Sequence, residues 1–117
     1  MKHPVVHFEV VGNDKETLYG FYRELFEWEI EDVPLPEGSY GLVAADQEAG
    51  QIGGGIGATS GEGHVTWYVQ VDDVEAALAK AEELGGTRLM GPVSPAPETV
   101  IGLFADPEGH MIGVTGS

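Results

Sequence analysis

A strand followed by a capped helix occurs twice in the chain, 59 residues apart. The clearer copy spans residues 65–86, where apolar and polar residues alternate from Val65 to Val71 and apolar residues then recur at helical spacing up to a glycine pair. The alternation indicates a strand with one apolar face, and the spacing before the glycines indicates an amphipathic helix and its end. A repeated unit of this size predicts a duplicated fold.

The earlier copy keeps the register of the later one through strand and helix. Both helices are predicted to begin at a capping residue, Asn13 in the first copy and Asp72 in the second. A glutamate three residues further on, Glu16 or Glu75, would complete a capping box, in which each side chain accepts from the backbone N–H of the other residue. Since later glycines superpose at the same offset, we predict two βαβββ modules in tandem with no insertion between them.

The two modules are predicted over residues 4–59 and 64–117, and together they form a single α+β domain spanning residues 1–117. After the strand at 87–90 we expect a loop over residues 91–97, which is stiffened by its three prolines. Trp67 falls on the apolar face of its strand and is expected beneath the second helix. The pattern predicts helices at about 14–27 and 73–84 and strands at about 5–11, 28–33, 40–45, 52–58, 65–71, 87–90, 100–105 and 110–115.

The chain is strongly acidic, with 20 Asp and Glu against 5 Lys and Arg and a formal net charge of −15. This balance argues against nucleic acid or an anionic membrane as a partner. The absence of cysteine excludes disulfides, thiolate metal sites and thiol nucleophiles. No signal-peptide core and no apolar run long enough to cross a membrane is found, so we expect a cytoplasmic protein.

The repeated plan and several segments resemble the vicinal oxygen chelate superfamily, which includes glyoxalases, bleomycin-resistance proteins and extradiol dioxygenases. The resemblance covers nearly the whole chain and implies the paired βαβββ fold of that superfamily in a small single-domain member. The segments that carry it are His7-Phe-Glu-Val10, the strand-to-helix junction at residues 69–76, Leu84-Gly-Gly86 and Phe104-Ala-Asp-Pro-Glu-Gly-His-Met-Ile112.

The resemblance also implies where a metal ion would bind. Metalloenzymes of this superfamily hold a divalent ion with inward-facing His and Glu side chains from the first and last strands of each module. Carried onto this chain, the four positions are His7, Gly54, Thr66 and Gly113, and only the histidine is a good ligand. Because a catalytic metal site uses about three protein ligands, we favour a protein without a metal or other cofactor, and no residue is assigned a catalytic role.

A non-standard metal site is the alternative. His64 shares one face of its strand with Thr66, and His7 shares one face of another strand with Glu9. Two histidines and one carboxylate, from His7, Glu9 and His64, would form a facial triad for a divalent metal. In the interpretation without a metal, His7 and Glu9 hydrogen-bond each other or Tyr68 in a polar pocket. The sequence leaves both arrangements open.

The inward face of the predicted sheets combines polar, aromatic and apolar side chains. This mixture suits a small organic ligand that needs both burial and orientation. Tyr68 is the strongest single candidate, because its ring offers contact area and its hydroxyl a directional hydrogen bond. In a second interpretation, Tyr68 and Gln70 pack at a dimer contact. The predicted ligand-binding residues are His7, Glu9, His64, Thr66, Tyr68, Gln70, Met111 and Thr115.

Two functions are predicted, with a third behind them. The first is a metal-free protein that binds a small molecule, cationic or planar and aromatic, for sequestration, resistance or sensing. The second is a glyoxalase-like metal-dependent lyase or isomerase, or a dioxygenase-like enzyme, in which His7, Glu9 and His64 hold a divalent ion that stabilises an enolate. The third is a structural partner in a dimer. The resemblance also implies a homodimer that buries aromatic side chains at its contact.

Overall fold

The computed structural model describes residues 2–116 and contains the repeated βαβββ order that the sequence predicts, which confirms the α+β fold class. No helix within these residues is long and apolar enough to cross a membrane. The cytoplasmic location stays a sequence-based prediction. The elements are β1 (Val5–Gly12), α1 (Lys15–Phe26), β2 (Ile30–Pro34), β3 (Ser39–Val43), β4 (Gly54–Ala58), β5 (His64–Val71), α2 (Val74–Glu83), β6 (Thr87–Ala96), β7 (Thr99–Ala105) and β8 (Met111–Gly116).

The chain divides into two compact units. His7–Val65 forms the first unit, and residues 2–6 with residues 66–116 form the second. The boundary falls close to the predicted boundary between modules, except that the start of β1 belongs to the second unit. There the Pro4 carbonyl accepts a hydrogen bond from the Gln70 N–H at 2.9 Å. That the two units make a single domain stays a prediction.

In the first unit the strands lie in the order β2-β3-β4-β1. β1 runs parallel to β4, and the other neighbours are antiparallel. α1 covers one face, where Tyr19 and Ile56 are buried and Phe8 packs against them. Because side chains alternate along a strand, His7 and Glu9 lie on the opposite face of β1 from Phe8. The first unit therefore offers one sheet face that its own helix does not cover.

In the second unit the strands lie in the order β5-β8-β7-β6, again with a parallel pair, β5 with β8. Val74 and Leu78 of α2 are fully buried and pack against Val114 of β8. Gly113, one residue earlier, faces the other way and pairs with Tyr68 of β5. Tyr68 therefore lies on the face of this sheet that α2 does not cover.

Both N-cap predictions are wrong by one residue. The caps are Asp14 and Asp73, where the sequence predicted Asn13 and Asp72. Each Asp accepts a hydrogen bond from the backbone N–H three residues further on, at 3.1 Å in α1 and 3.0 Å in α2. Two good capping residues stand next to each other at both places, and composition does not show which one has the extended backbone that precedes a helix. The 59-residue offset between the two caps is nevertheless kept.

The residues assigned to the capping boxes make other contacts. The Asn13 side chain donates to the carbonyls of Thr59 and Gly61 at 2.7 and 2.9 Å, which holds the segment after β4. The Glu75 carboxylate accepts two hydrogen bonds from the Arg88 guanidinium at 2.9 and 2.7 Å. The predicted capping boxes are therefore wrong, and Glu75 instead ties α2 to β6.

The proline-rich segment is strand rather than loop. β6 continues past Met90 through residues 91–96, and its register against β7 shifts three times. In the strand order β6 stands at an edge and has β7 as its neighbour. A proline is tolerated on an edge strand, where its missing N–H faces away from the ladder, and bulges absorb the misfit.

Trp67 is 48% exposed and does not lie beneath α2, so that prediction is wrong. The helix begins at Val74 and packs on Val71, near the end of β5, and on Val114. Trp67 lies on the same face of β5 as Val71 but four residues earlier, beyond the part of the strand that α2 covers. The alternation of apolar and polar residues predicts the correct face of the strand, but it does not predict which part of that face the helix covers.

Candidate functional site

A tyrosine hydroxyl joins two of the predicted site residues in the first unit. The Tyr40 hydroxyl donates to Glu9 Oε2 at 2.7 Å and lies 3.1 Å from His7 Nε2. β1 places His7 and Glu9 on the uncovered face, and Tyr40 comes to the same face from β3, on the far side of β4. A phenol therefore bridges the imidazole and the carboxylate. We call these three residues, with His64, the Tyr40 network.

Gly55 makes room for this phenol. β4 lies between β1 and β3, and Gly55 pairs with Glu9. A Cβ built on Gly55 would overlap the hydroxyl and ring carbons of Tyr40. Gly57, two residues along the same face, is in ordinary contact with the ring at 3.5 Å. The glycine-rich strand thus admits a close approach by an aromatic ring.

His64 is the fourth member of the Tyr40 network. Its Nε2 lies 3.6 Å from Glu9 Oε1, which is beyond hydrogen-bond distance. The nitrogen is buried and has no hydrogen-bond partner within the described chain. A buried polar atom left in this state costs about 1–3 kcal/mol. A polar group placed beside Glu9 and His64 would therefore be stabilised.

The hydrogen bonds assign the protons of the network. Burial lowers the pKa of His7 below its ordinary value, although the nearby Glu9 carboxylate acts in the opposite direction, so His7 is neutral at pH 7. Tyr40 has a single proton and donates it to Glu9. Its oxygen must then accept from His7, which assigns the tautomer with the proton on Nε2.

The network does not fit a divalent metal site as it stands. Within residues 2–116, no group of three or more His, Asp or Glu side chains is placed where it could hold an ion. The arrangement around Tyr40 gives the reason, because the phenol lies between His7 Nε2 and Glu9 Oε2, where an ion would have to contact both. The facial triad predicted as an alternative is not assembled in this arrangement.

The metal position that the resemblance placed in β4 is wrong by one residue. Gly54 faces the helix side, because a Cβ there would overlap the ring of Phe8. Gly55 is the glycine on the face of the Tyr40 network. In the second unit, Gly113 does face the same way as its partner Tyr68. The two modules are therefore not related by one constant offset, since β4 is displaced by one residue relative to β8. Neither inner glycine supplies a ligand.

The other predicted ligand-binding residues lie in the second unit. Thr66 is buried, and its hydroxyl donates to the Met111 carbonyl at 2.6 Å. Tyr68 is also buried, and its ring occupies the space that a Cβ on Gly113 would need. Strand alternation places five predicted residues on one face of the β5–β8 pair: Thr66, Tyr68, Gln70, Met111 and Thr115. The three remaining ones, His7, Glu9 and His64, are brought together in the first unit.

An open pocket of about 520 Å³ lies beside His7 in the first unit. Its volume is that of a site for a small organic molecule. The walls combine apolar side chains with the carboxylates of two glutamates. The lining residues are His7, Glu29, Ile30, Glu31, Leu42, Val43, Ala44, Gly53 and Gly54. A second pocket, of about 660 Å³ along α2 in the second unit, contains none of the predicted site residues.

Tyr40 is the site residue that the sequence analysis missed. It stands at the start of β3, and its sequence neighbours carry no functional signal. The signal lay instead at the start of β4, where the run Gly53-Gly-Gly55 followed by Gly57 indicates a close approach by another group. Pairing such a strand with a neighbouring strand that contains one aromatic residue would have indicated Tyr40.

The chain belongs to the glyoxalase-like domain family, whose model matches residues 7–115. This confirms the resemblance to the vicinal oxygen chelate superfamily. Among solved structures, a methylmalonyl-CoA epimerase in complex with methylmalonyl-CoA and NH4+ is similar at a TM-score of 0.71 and 16% identity, covering 100% of this chain and 96% of that one. A glyoxalase/bleomycin resistance protein/dioxygenase superfamily member from Vibrio splendidus is similar at a TM-score of 0.68 and 15% identity, covering 99% and 100%.

A Streptomyces coelicolor methylmalonyl-CoA epimerase variant in complex with 2-nitronate-propionyl-CoA is similar at a TM-score of 0.69 and 15% identity, covering 97% of this chain and 96% of that one. At these identities the similarities establish the fold alone. No functionally curated protein matches the chain significantly.

Proposed function

We propose that this protein binds a small organic molecule at the Tyr40 network, for sequestration, resistance or sensing, and catalyses no reaction. The observation that carries the proposal is His64 Nε2, buried 3.6 Å from Glu9 Oε1 without a hydrogen-bond partner in the described chain. When His64 carries its proton on Nδ1, these two atoms are both acceptors. An amine or ammonium group of a ligand placed beside these two atoms would donate one N–H to each, so that the buried nitrogen of His64 gains a hydrogen-bond partner.

The charges around the site favour a neutral or cationic ligand. Glu29 and Glu31 line the pocket beside His7, and the chain as a whole has a formal net charge of −15. Two of the structurally similar epimerases hold coenzyme A thioesters, which carry several phosphate charges. A ligand of that kind would be repelled here. An amine with an apolar or aromatic body, packed against Ile30 and Leu42, is the better complement.

A glyoxalase-like metal-dependent enzyme is the second candidate. It is favoured by the presence of His7, Glu9 and His64 in one unit, with Glu9 between the two histidines. An ion bound by all three would have to displace the Tyr40 hydroxyl from its place between His7 and Glu9. This requirement is why binding without a metal is the primary proposal.

The proposal is tested by titrating metal-free protein with three sets of probes while recording amide and histidine NMR spectra. The probes are aromatic amines, uncharged aromatic compounds of the same size, and methylmalonyl-CoA. We expect aromatic amines to bind and to shift the resonances of His7, His64 and Gly55. Loss of the bond to His64 in a His64→Ala variant should weaken binding about tenfold, since such a bond is worth about 1.5 kcal/mol when charge is involved.

A His110→Ala variant is the matched control, because His110 is 69% exposed and is paired with Asp106. We expect it to bind as the wild-type chain does. Equal binding by the His64→Ala and wild-type chains would contradict the proposed site. If no amine bound, and a divalent metal produced turnover of an α-ketoaldehyde–thiol adduct, the enzyme would replace the binding protein as the conclusion.

A further inference from the structure

We infer that the Tyr40 hydroxyl stands in the place of a metal ion, and that removing the phenol would create a divalent-metal site from His7, Glu9 and His64. The site itself would have this property whether or not an amine is the ligand. The wild-type chain should respond little to metal ions, and one substitution should reverse this.

The distances around Glu9 support the inference. Ligand atoms that share one ion at about 2.0–2.2 Å lie roughly 3–3.5 Å from each other. Glu9 Oε1 and His64 Nε2 are 3.6 Å apart, close to that spacing. On the other side of the same carboxylate, Oε2 and His7 Nε2 are both directed at the Tyr40 oxygen, at 2.7 and 3.1 Å. The hydroxyl therefore lies where His7 and Glu9 converge, and His64 lies beside the other oxygen of the same carboxylate.

The sheet explains how a phenol reaches this point. Tyr40 belongs to β3, which is separated from β1 by β4, so its ring must pass over β4 to reach His7 and Glu9. Only the absence of a side chain at Gly55 allows this, because a Cβ there would overlap the ring and the hydroxyl. The position of the Tyr40 phenol therefore depends on Gly55, because the phenol fills the space that a side chain at Gly55 would occupy.

The inference is tested with Co²⁺, whose visible absorption reports bound nitrogen and oxygen ligands. The wild-type chain, a Tyr40→Ala variant and a Tyr40→Ala/His7→Gln double variant are titrated by calorimetry and by absorption. We expect one ion per chain in Tyr40→Ala, with an affinity at least about tenfold above wild type, and loss of that gain in the double variant. Tyr22→Ala is the matched control, since Tyr22 is a partly buried tyrosine packed in the aromatic core of the same unit, and it should gain no affinity.

A Gly55→Ala variant guards against misfolding of Tyr40→Ala, because it keeps the phenol but pushes it away from His7 and Glu9. It should also gain Co²⁺ affinity. The inference would be overturned by a folded Tyr40→Ala chain that binds Co²⁺ no better than wild type, or by a wild-type chain that already binds one ion as tightly. Retention of the gain in the double variant would equally overturn it, since His7 would then not be a ligand.

Discussion

Replacing Gly55 by alanine should destabilise the first unit through Tyr40 alone. The new Cβ would overlap the phenol, so the ring must move and its hydrogen bonds to His7 and Glu9 are lost. The bond to the Glu9 carboxylate is worth about 1.5–3 kcal/mol, and the bond to His7 about 1 kcal/mol. Against this, replacing a glycine in a strand by alanine recovers about 0.4–1 kcal/mol. The expected net loss in the free energy of unfolding is about 2–3 kcal/mol.

Urea denaturation, followed by far-UV circular dichroism, measures this loss. Gly57→Ala is the matched control, because Gly57 lies in the same strand and on the same face, and its Cβ would be in ordinary contact with the Tyr40 ring at 3.5 Å. It should be neutral or slightly stabilising. In a Tyr40→Ala background the loss should vanish and Gly55→Ala should stabilise by about 0.4–1 kcal/mol, so a double-mutant cycle should give a coupling energy of about 2.5–4 kcal/mol between the two positions.

Two results would refute this reasoning. If Gly55→Ala and Gly57→Ala were equally stable, the phenol would not depend on the space at Gly55. If Gly55→Ala cost as much without Tyr40 as with it, the loss would come from another contact of β4, and the glycine would have no special relation to the network.

Three further predictions concern the helix cap, the pH dependence and the assembly. Asp73→Ala should lower the free energy of unfolding by about 1 kcal/mol, whereas Asp72→Ala should change it by less than about 0.5 kcal/mol in the same urea assay; equal losses would contradict the assigned cap. Because burial lowers the pKa of His7, the unfolded chain binds more protons than the folded chain below pH 6.5, and the free energy of unfolding should fall as the pH drops from 6.5 towards the folded-state pKa. His7→Gln should flatten this part of the plot of unfolding free energy against pH. An unchanged slope in the variant would refute the lowered pKa of His7. Sedimentation should show a homodimer of the 12.4 kDa chain that Trp67→Lys dissociates, and a wild-type monomer at micromolar concentration would refute it.

The fold was predictable because its strongest determinants are local and occur twice. Alternation fixed the faces of β1 and β5, and the glycine pair after Leu84 fixed the end of α2, so the βαβββ order followed from the sequence. The errors arise where tertiary contacts decide. β6 remains a strand despite its prolines because it lies at an edge, and Trp67 stays exposed because α2 packs further along β5. Neither fact is encoded in a short window of sequence.

The site was predictable only in part, for a similar reason. His7 and Glu9 were assigned to one face from alternation alone, and the structure joins them through a shared hydroxyl. That hydroxyl belongs to Tyr40, which is 31 residues from Glu9 in sequence and reaches it over an intervening strand. The one-residue displacement of β4 was also invisible, because a run of glycines has no alternation from which a face can be read.

In both units, a glycine in the last strand of the module, on the face that the helix does not cover, leaves space for a tyrosine ring. In the first unit, the space at Gly55 is taken by the ring of Tyr40, and in the second, the space at Gly113 is taken by the ring of Tyr68. A side chain at either glycine, including a metal-binding carboxylate, is incompatible with the neighbouring ring as it stands. In each unit, the absence of a ligand side chain at the glycine is therefore what allows the tyrosine ring to occupy that space. Gly113→Glu alone would not restore a ligand, because the new carboxylate and the Tyr68 ring would compete for the same volume.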